Sequence, residues 1–161
     1  CKDIDGEPQK ENGTSIRSAA KVLQDFGAIE NYAFARDLAS IKWWILNKGP
    51  IIMGTIWSEN MMSPNPVGVL DVSGSIVGGH AYIINEFKDG YYGIQNSWGK
   101  SWGLNGKAYI YEKDFEFLFS YGGEALAAVE LENYITKKKE KWFVELIKKI
   151  LKILNISWEN W

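Results

Sequence analysis

The chain has 161 residues, 46% of them hydrophobic and 14% aromatic, with a formal net charge of −2. That much apolar side chain excludes global disorder, and the length fits one domain or one domain with an appendage. The near-neutral balance excludes a nucleic-acid binder driven by phosphate neutralisation.

The average charge hides a boundary. Residues 1–136 carry 11 Lys and Arg against 17 Asp and Glu, a balance of −6, whereas residues 137–161 carry 7 Lys against 3 Glu, a balance of +4. The chain therefore divides into a body over 1–132 and a basic tail over 133–161. Cys1 is the single cysteine, so no internal disulfide can form, which fits a reducing compartment. No signal peptide opens the chain and no apolar run reaches membrane-spanning length. A start at Cys rather than Met predicts that polypeptide precedes it.

Residues 1–13 are polar and broken by Gly and Pro, which predicts a loop. Thr14 or Ser15 is placed to cap a helix running to about Phe26. Ile16, Ala19, Ala20 and Leu23 recur at helical spacing, and Gly27 follows as a stop. Residues 36–48 read as a second helix with Ile41, Trp44 and Ile45 inward, closed by Gly49-Pro50. The apolar run 51–57 reads as a buried strand, and residues 58–79 as a long Gly/Pro/Ser/Asn loop. Strands follow at about 80–87 and 91–96, joined by Lys88-Asp89-Gly90, then at about 106–112 and 124–131.

Residues 137–156 carry Phe143, Leu146, Ile147, Ile150, Leu151 and Leu154 as an amphipathic helical stripe among lysines. Three readings of that helix stand open. It packs back on the body; it lies on a membrane surface, with Trp142, Trp158 and Trp161 near its ends; or it forms a seam with a partner helix.

The chemistry concentrates in two short stretches. His80, the only histidine, sits in Gly78-Gly79-His80-Ala81-Tyr82, and Asn96 opens Asn96-Ser97-Trp98-Gly99-Lys100-Ser101-Trp102-Gly103-Leu104-Asn105-Gly106. A thiolate nucleophile needs an imidazole as ion-pair partner and proton donor, and the imidazole needs a third group to hold its tautomer. Whether His80 and Asn96 meet depends on the hairpin between them. A three-residue loop with left-handed Gly90 pairs Tyr82 with Asn96 and leaves His80 on the same face, within diagonal reach. A two-residue Asp-Gly turn pairs Ile83 with Asn96 and turns His80 away unless a bulge intervenes.

This conjunction resembles the papain-like cysteine peptidases of the C1 family over roughly residues 13–128. The resemblance is most specific in Gly79-His80-Ala81, in Asn96-Ser97-Trp98-Gly99 and in Trp102-Gly103-Leu104-Asn105-Gly106-Lys107-Ala108. Gly13-Thr14-Ser15-Ile16-Arg17 and Gly49-Pro50-Ile51-Ile52 are similar to segments upstream of the histidine in bacterial and viral members. It implies an α+β papain-like fold, mostly the antiparallel β-barrel-like C-terminal lobe with two short N-terminal helices, here followed by the C-terminal amphipathic helix. It implies His80 as general acid/base, Asn96 as its orienting partner, Trp98 as a cover over their contact and Trp102 on the primed side of the cleft. Gly54, Gly78, Gly79 and Phe119 would border the substrate pocket.

The family's nucleophile segment, a glutamine followed by a Cys-Trp pair opening a long helix, has no match. Cys1 precedes a loop sequence, Lys2-Asp3-Ile4-Asp5-Gly6-Glu7-Pro8, and reads as a linker residue. The expectation is a peptidase acting on peptide or protein substrates in which this chain supplies His80 and Asn96. A nucleophilic cysteine would come from an N-terminal lobe of the same polypeptide, and this chain alone would be inactive. The alternatives are a non-catalytic peptidase-like binding module and a membrane- or partner-tethered inactive homologue. One histidine and one cysteine far apart are a poor ligand set, so no metal and no cofactor is expected.

Overall fold

The computed structural model describes residues 15–130. Cys1, the 1–13 loop and the 137–156 segment lie outside the described residues. In order, the elements are α1 (Ile16–Asp25), β1 (Ile29–Ala35), α2 (Leu38–Asn47), β2 (Ile51–Ser58), a 3₁₀ turn (Glu59–Met62), β3 (Ile76–Lys88), β4 (Tyr91–Gln95), β5 (Lys107–Tyr111), α3 (Glu112–Ser120) and β6 (Glu124–Glu130).

The first two helices begin on side-chain caps. Ser15 Oγ accepts from the Ser18 N–H at 3.1 Å, and Asp37 Oδ1 accepts from the Ser40 N–H at 2.7 Å. Helix α1 ends in a Schellman arrangement, with Gly27 N–H donating to the Gln24 carbonyl and Ala28 N–H to the Leu23 carbonyl. Helix α3 has no side-chain cap. It is tied instead by the Lys42–Glu112 ion pair to α2 and by the buried Phe115 and Leu118.

The six strands form one antiparallel sheet in the order β1-β6-β2-β3-β4-β5. Period-two alternation sorts β2 into two faces. Ile51, Met53 and Trp57 enter the main core, which also takes Ile41 and Ile45 from α2, Phe115 and Leu118 from α3, and Tyr82, Ile84, Ile94 and Ile110 from β3, β4 and β5. On the opposite face Ile52 packs with Ile16 and Ala20 of α1 and with Leu126 of β6. The sheet is thus covered by α2 and α3 on one side and α1 on the other.

Two elements, β1 and α3, go beyond the sequence reading. The long loop is shorter than expected, because Glu59–Met62 forms a 3₁₀ turn and β3 already starts at Ile76. Residues 76–79 escape a strand reading because all four are exposed, so the alternation that betrays a half-buried strand is missing.

The hairpin between β3 and β4 corrects the three-residue loop. Lys88 pairs with Tyr91, so the turn has two residues, with Asp89 at φ 52° and Gly90 at φ 80°. Two consecutive positive φ values define the primed turn whose twist matches antiparallel strands, and Asp-Gly supplies it at little cost. By itself this turn would put His80 on the wrong face. The register then shifts, with Glu86 opposite Gly93 but Ile84 opposite Ile94, so Asn85 is bulged out. Beyond the bulge Ile83 pairs with Gln95, and the count carries Tyr82 opposite Asn96. The bulge restores the face that the turn would have lost.

Candidate active site

His80 and Asn96 meet at the end of the sheet. His80 stands opposite Thr55 in the β2–β3 ladder, on the core-facing side, and its Nε2 lies 2.8 Å from Asn96 Oδ1. Asn96 Oδ1 also accepts from the backbone N–H of Ser97 at 2.8 Å. A backbone N–H can only donate, so the Asn96 atom at this junction is the carbonyl oxygen. Nε2 therefore carries the proton that His80 donates, and the neutral ring has Nδ1 as its basic nitrogen. Among the described residues, Nδ1 has no hydrogen-bond partner.

Asn96 is held from several directions. It is 1% exposed. Its backbone N–H donates to the Gly106 carbonyl at 2.9 Å, and Gln95 Nε2 donates to that carbonyl at 3.0 Å. The loop that returns to Gly106 turns sharply at Gly103, where φ is 53° and a Cβ would stand 2.3 Å from the Lys107 carbonyl oxygen. Only glycine fits there, on grounds of both backbone and space.

Aromatic rings surround the imidazole. The Trp98 ring centroid lies 4.7 Å from that of His80, and Trp98 meets Trp102 edge to face at 5.8 Å. Trp102 Nε1 donates to the Met62 carbonyl at 2.8 Å, tying this loop to the 3₁₀ turn. Two further residues, absent from the sequence-derived set, complete the surround. Trp57 lies 4.6 Å from His80, and Tyr82 lies 6.2 Å away with its ring within 22° of parallel. Thr55 Oγ1 donates to the Tyr82 hydroxyl at 3.2 Å. The signal for Trp57 was the alternation of β2, but reading it required the cross-strand register.

Burial pushes the His80 imidazole below its ordinary value of 6.5, and the bond to Asn96 partly offsets that. Burial likewise pushes the Tyr82 hydroxyl well above the usual phenol range, so it stays protonated.

The pocket residues separate. Gly78 shares the His80 face of β3 and pairs with Trp57, whereas Gly79 points to the opposite face. Gly54 also lies on that opposite face, where a Cβ would come within 2.8 Å of the Ile16 side chain. Phe119 packs against the main core beside Phe115 and has no ring contact with His80. A separate concavity of about 520 Å³ is lined by Glu59, Asn60, Met62, Ser63, Asn65, Val69, Leu70 and Asp71. Neither His80 nor Asn96 is among the residues that line it. Among the described residues no three His, Cys, Asp or Glu side chains converge on a metal position.

No protein-family profile and no curated protein sequence matches the chain. Solved structures do. Xylellain, a cysteine protease from Xylella fastidiosa, superposes with a TM-score of 0.54 at 18% identity over 65% of this chain and 41% of that one. Procathepsin B S9 from Trypanosoma congolense superposes with a TM-score of 0.51 at 15% identity over 64% of this chain and 36% of that one. The chain therefore spans about two fifths of the length of these proteins. At such identities the likeness concerns architecture: the described residues share the mixed α+β, papain-like fold of these two proteins.

Proposed function

We propose that this chain carries the acid/base part of a cysteine-type peptidase, with His80 as general base and acid and Asn96 as its orienting partner. The carrying observation is the 2.8 Å Nε2–Oδ1 bond, with the Ser97 N–H fixing which end of the carboxamide faces the ring. The papain-like fold supports it.

The chemistry follows from the tautomer. Neutral Nδ1 takes the proton of a thiol contributed by another stretch of polypeptide, and burial, which keeps the ring neutral, favours that starting state. The imidazolium then stabilises the thiolate. The thiolate attacks the peptide carbonyl, and Nδ1–H returns its proton to the leaving amine as the C–N bond breaks. Water, deprotonated by the same nitrogen, hydrolyses the thioester. Throughout, Asn96 Oδ1 holds Nε2–H, so the ring cannot exchange the roles of its nitrogens. Trp98 and Trp57 exclude water from this bond and so strengthen it.

The test uses the protein expressed from its complete gene, probed with a thiol-directed epoxide and with unstructured peptide substrates. The unmodified protein is expected to take the label and cleave peptide. His80→Ala is expected to lower the cleavage rate by at least on the order of 10²-fold. A second reading, a peptidase-like module that binds peptides without cleaving them, draws on Cys1 being the only cysteine of the sequence. Peptide binding with neither label nor cleavage would establish that reading and discard the first.

A further inference from the structure

We infer that Trp57 is a second positioning residue for His80, an indole that backs the imidazole and keeps it on Asn96. Its bearing on rate rests on the peptidase reading above; its effect on the histidine does not.

The placement begins in the ladder. Trp57 of β2 stands opposite Gly78, and His80 stands opposite Thr55, so Trp57 and His80 are diagonal neighbours on one face. Gly78 offers no side chain to its partner, which leaves the indole free to lean across β3 toward the imidazole. The rings meet at 4.6 Å and 63°, and Trp57 also meets Trp98 at 5.7 Å and 79°. Two indoles therefore form a corner around the imidazole, with Tyr82 5.6 Å from Trp57.

Trp57 is 2% exposed, and its Nε1–H has no hydrogen-bond partner. A phenylalanine would fill core space without that buried, unpaired donor, so the indole is costly as mere filling. What it supplies is ring area against His80. A strand histidine has more than one staggered χ1 well, and in the well that reaches Asn96 its ring is in contact with both Trp57 and Trp98. The ring and hydrogen-bond neighbours of His80 are Trp57, Tyr82, Trp98 and Asn96, none of them charged at neutral pH. The environment that Trp57 sets is therefore one of desolvation, without a competing ion pair.

Because His80 is the only histidine, its imidazole resonances in the full chain are unambiguous. The unmodified chain is expected to show nuclear Overhauser contacts between Trp57 indole protons and His80 ring protons, and their absence overturns the inference. Trp57→Leu is expected to move the His80 titration up toward that of a free imidazole and to shift the Asn96 side-chain amide. Trp57→Phe is expected to do both to a smaller extent, and it decides the matter if the leucine variant does not fold. A folded variant with the His80 titration and Asn96 amide unchanged overturns the proposal. In the complete, active protein, Trp57→Leu should lower kcat on the order of tenfold with KM little changed. A protein that proves not to be a peptidase leaves the resonance outcomes standing, so the two failures are told apart.

Discussion

The two ends of β3 make opposite use of one strand. Toward Lys88 it is paired with β4, and Ile84 sits in a row with Ile51, Ile94 and Ala108 across four strands, each no more than 1% exposed. Toward Ile76 it pairs with β2 alone, and the corresponding positions hold Thr55, Trp57 and His80, with Asn96 and Ser97 arriving from the loop beyond β4. Four of the five buried side-chain atoms without a hydrogen bond among the described residues lie at this second end: Trp57 Nε1, Ser58 Oγ, Asn96 Nδ2 and Ser97 Oγ. The apolar end supplies stability, and the polar end spends some of it to hold a basic nitrogen in place.

The comparison breaks if the apolar row is not the scaffold. Ile84→Ala should cost about 2–5 kcal/mol of unfolding free energy, because a fully enclosed side chain leaves a cavity, and denaturant titration measures it. Gly103→Ala tests whether the polar end depends on its loop. The left-handed backbone alone costs about 1–3 kcal/mol, and the encroached Lys107 carbonyl should shift the loop that carries Trp98 and Trp102. Thermal unfolding reads the first effect and indole fluorescence the second.

A pH series sharpens the contrast. The folded imidazole titrates below the unfolded value of 6.5, so between those two values the unfolded chain binds a proton that the folded chain does not. His80 thus contributes stability that is fully present above pH 6.5 and lost as pH falls through this window. Denaturant midpoints from pH 7 downward should show the slope, and His80→Gln should flatten it. Asp37 and Asp71 lie below their ordinary 3.8 through hydrogen bonds from Ser40 and Ser73, so their contribution falls away only at more acidic pH. The smallest effect belongs to Ser58→Ala. Its buried hydroxyl has no partner, so removal should change stability by less than about 0.5 kcal/mol, whereas removing an apolar side chain from the row should not be so lightly tolerated.

Residue order by itself determined the features whose causes are local. Ser15 and the spacing of Ile16, Ala19, Ala20 and Leu23 specify α1, the apolar run before Trp57 specifies β2, and Asp89-Gly90 specifies a hairpin. It also singled out His80 and Asn96, because their motifs are short and chemically distinctive. It left β1 and α3 unread: β1 lacks clean alternation, and α3 has no capping side chain, so both depend on packing against neighbours distant in sequence. Above all, it left open whether His80 and Asn96 share a face. The turn that Asp89-Gly90 prefers argues against it, and the bulge at Asn85 reverses the outcome. Only tertiary structure could decide that, because a bulge forms where two strands must both satisfy one core, a condition that no local stretch of sequence contains.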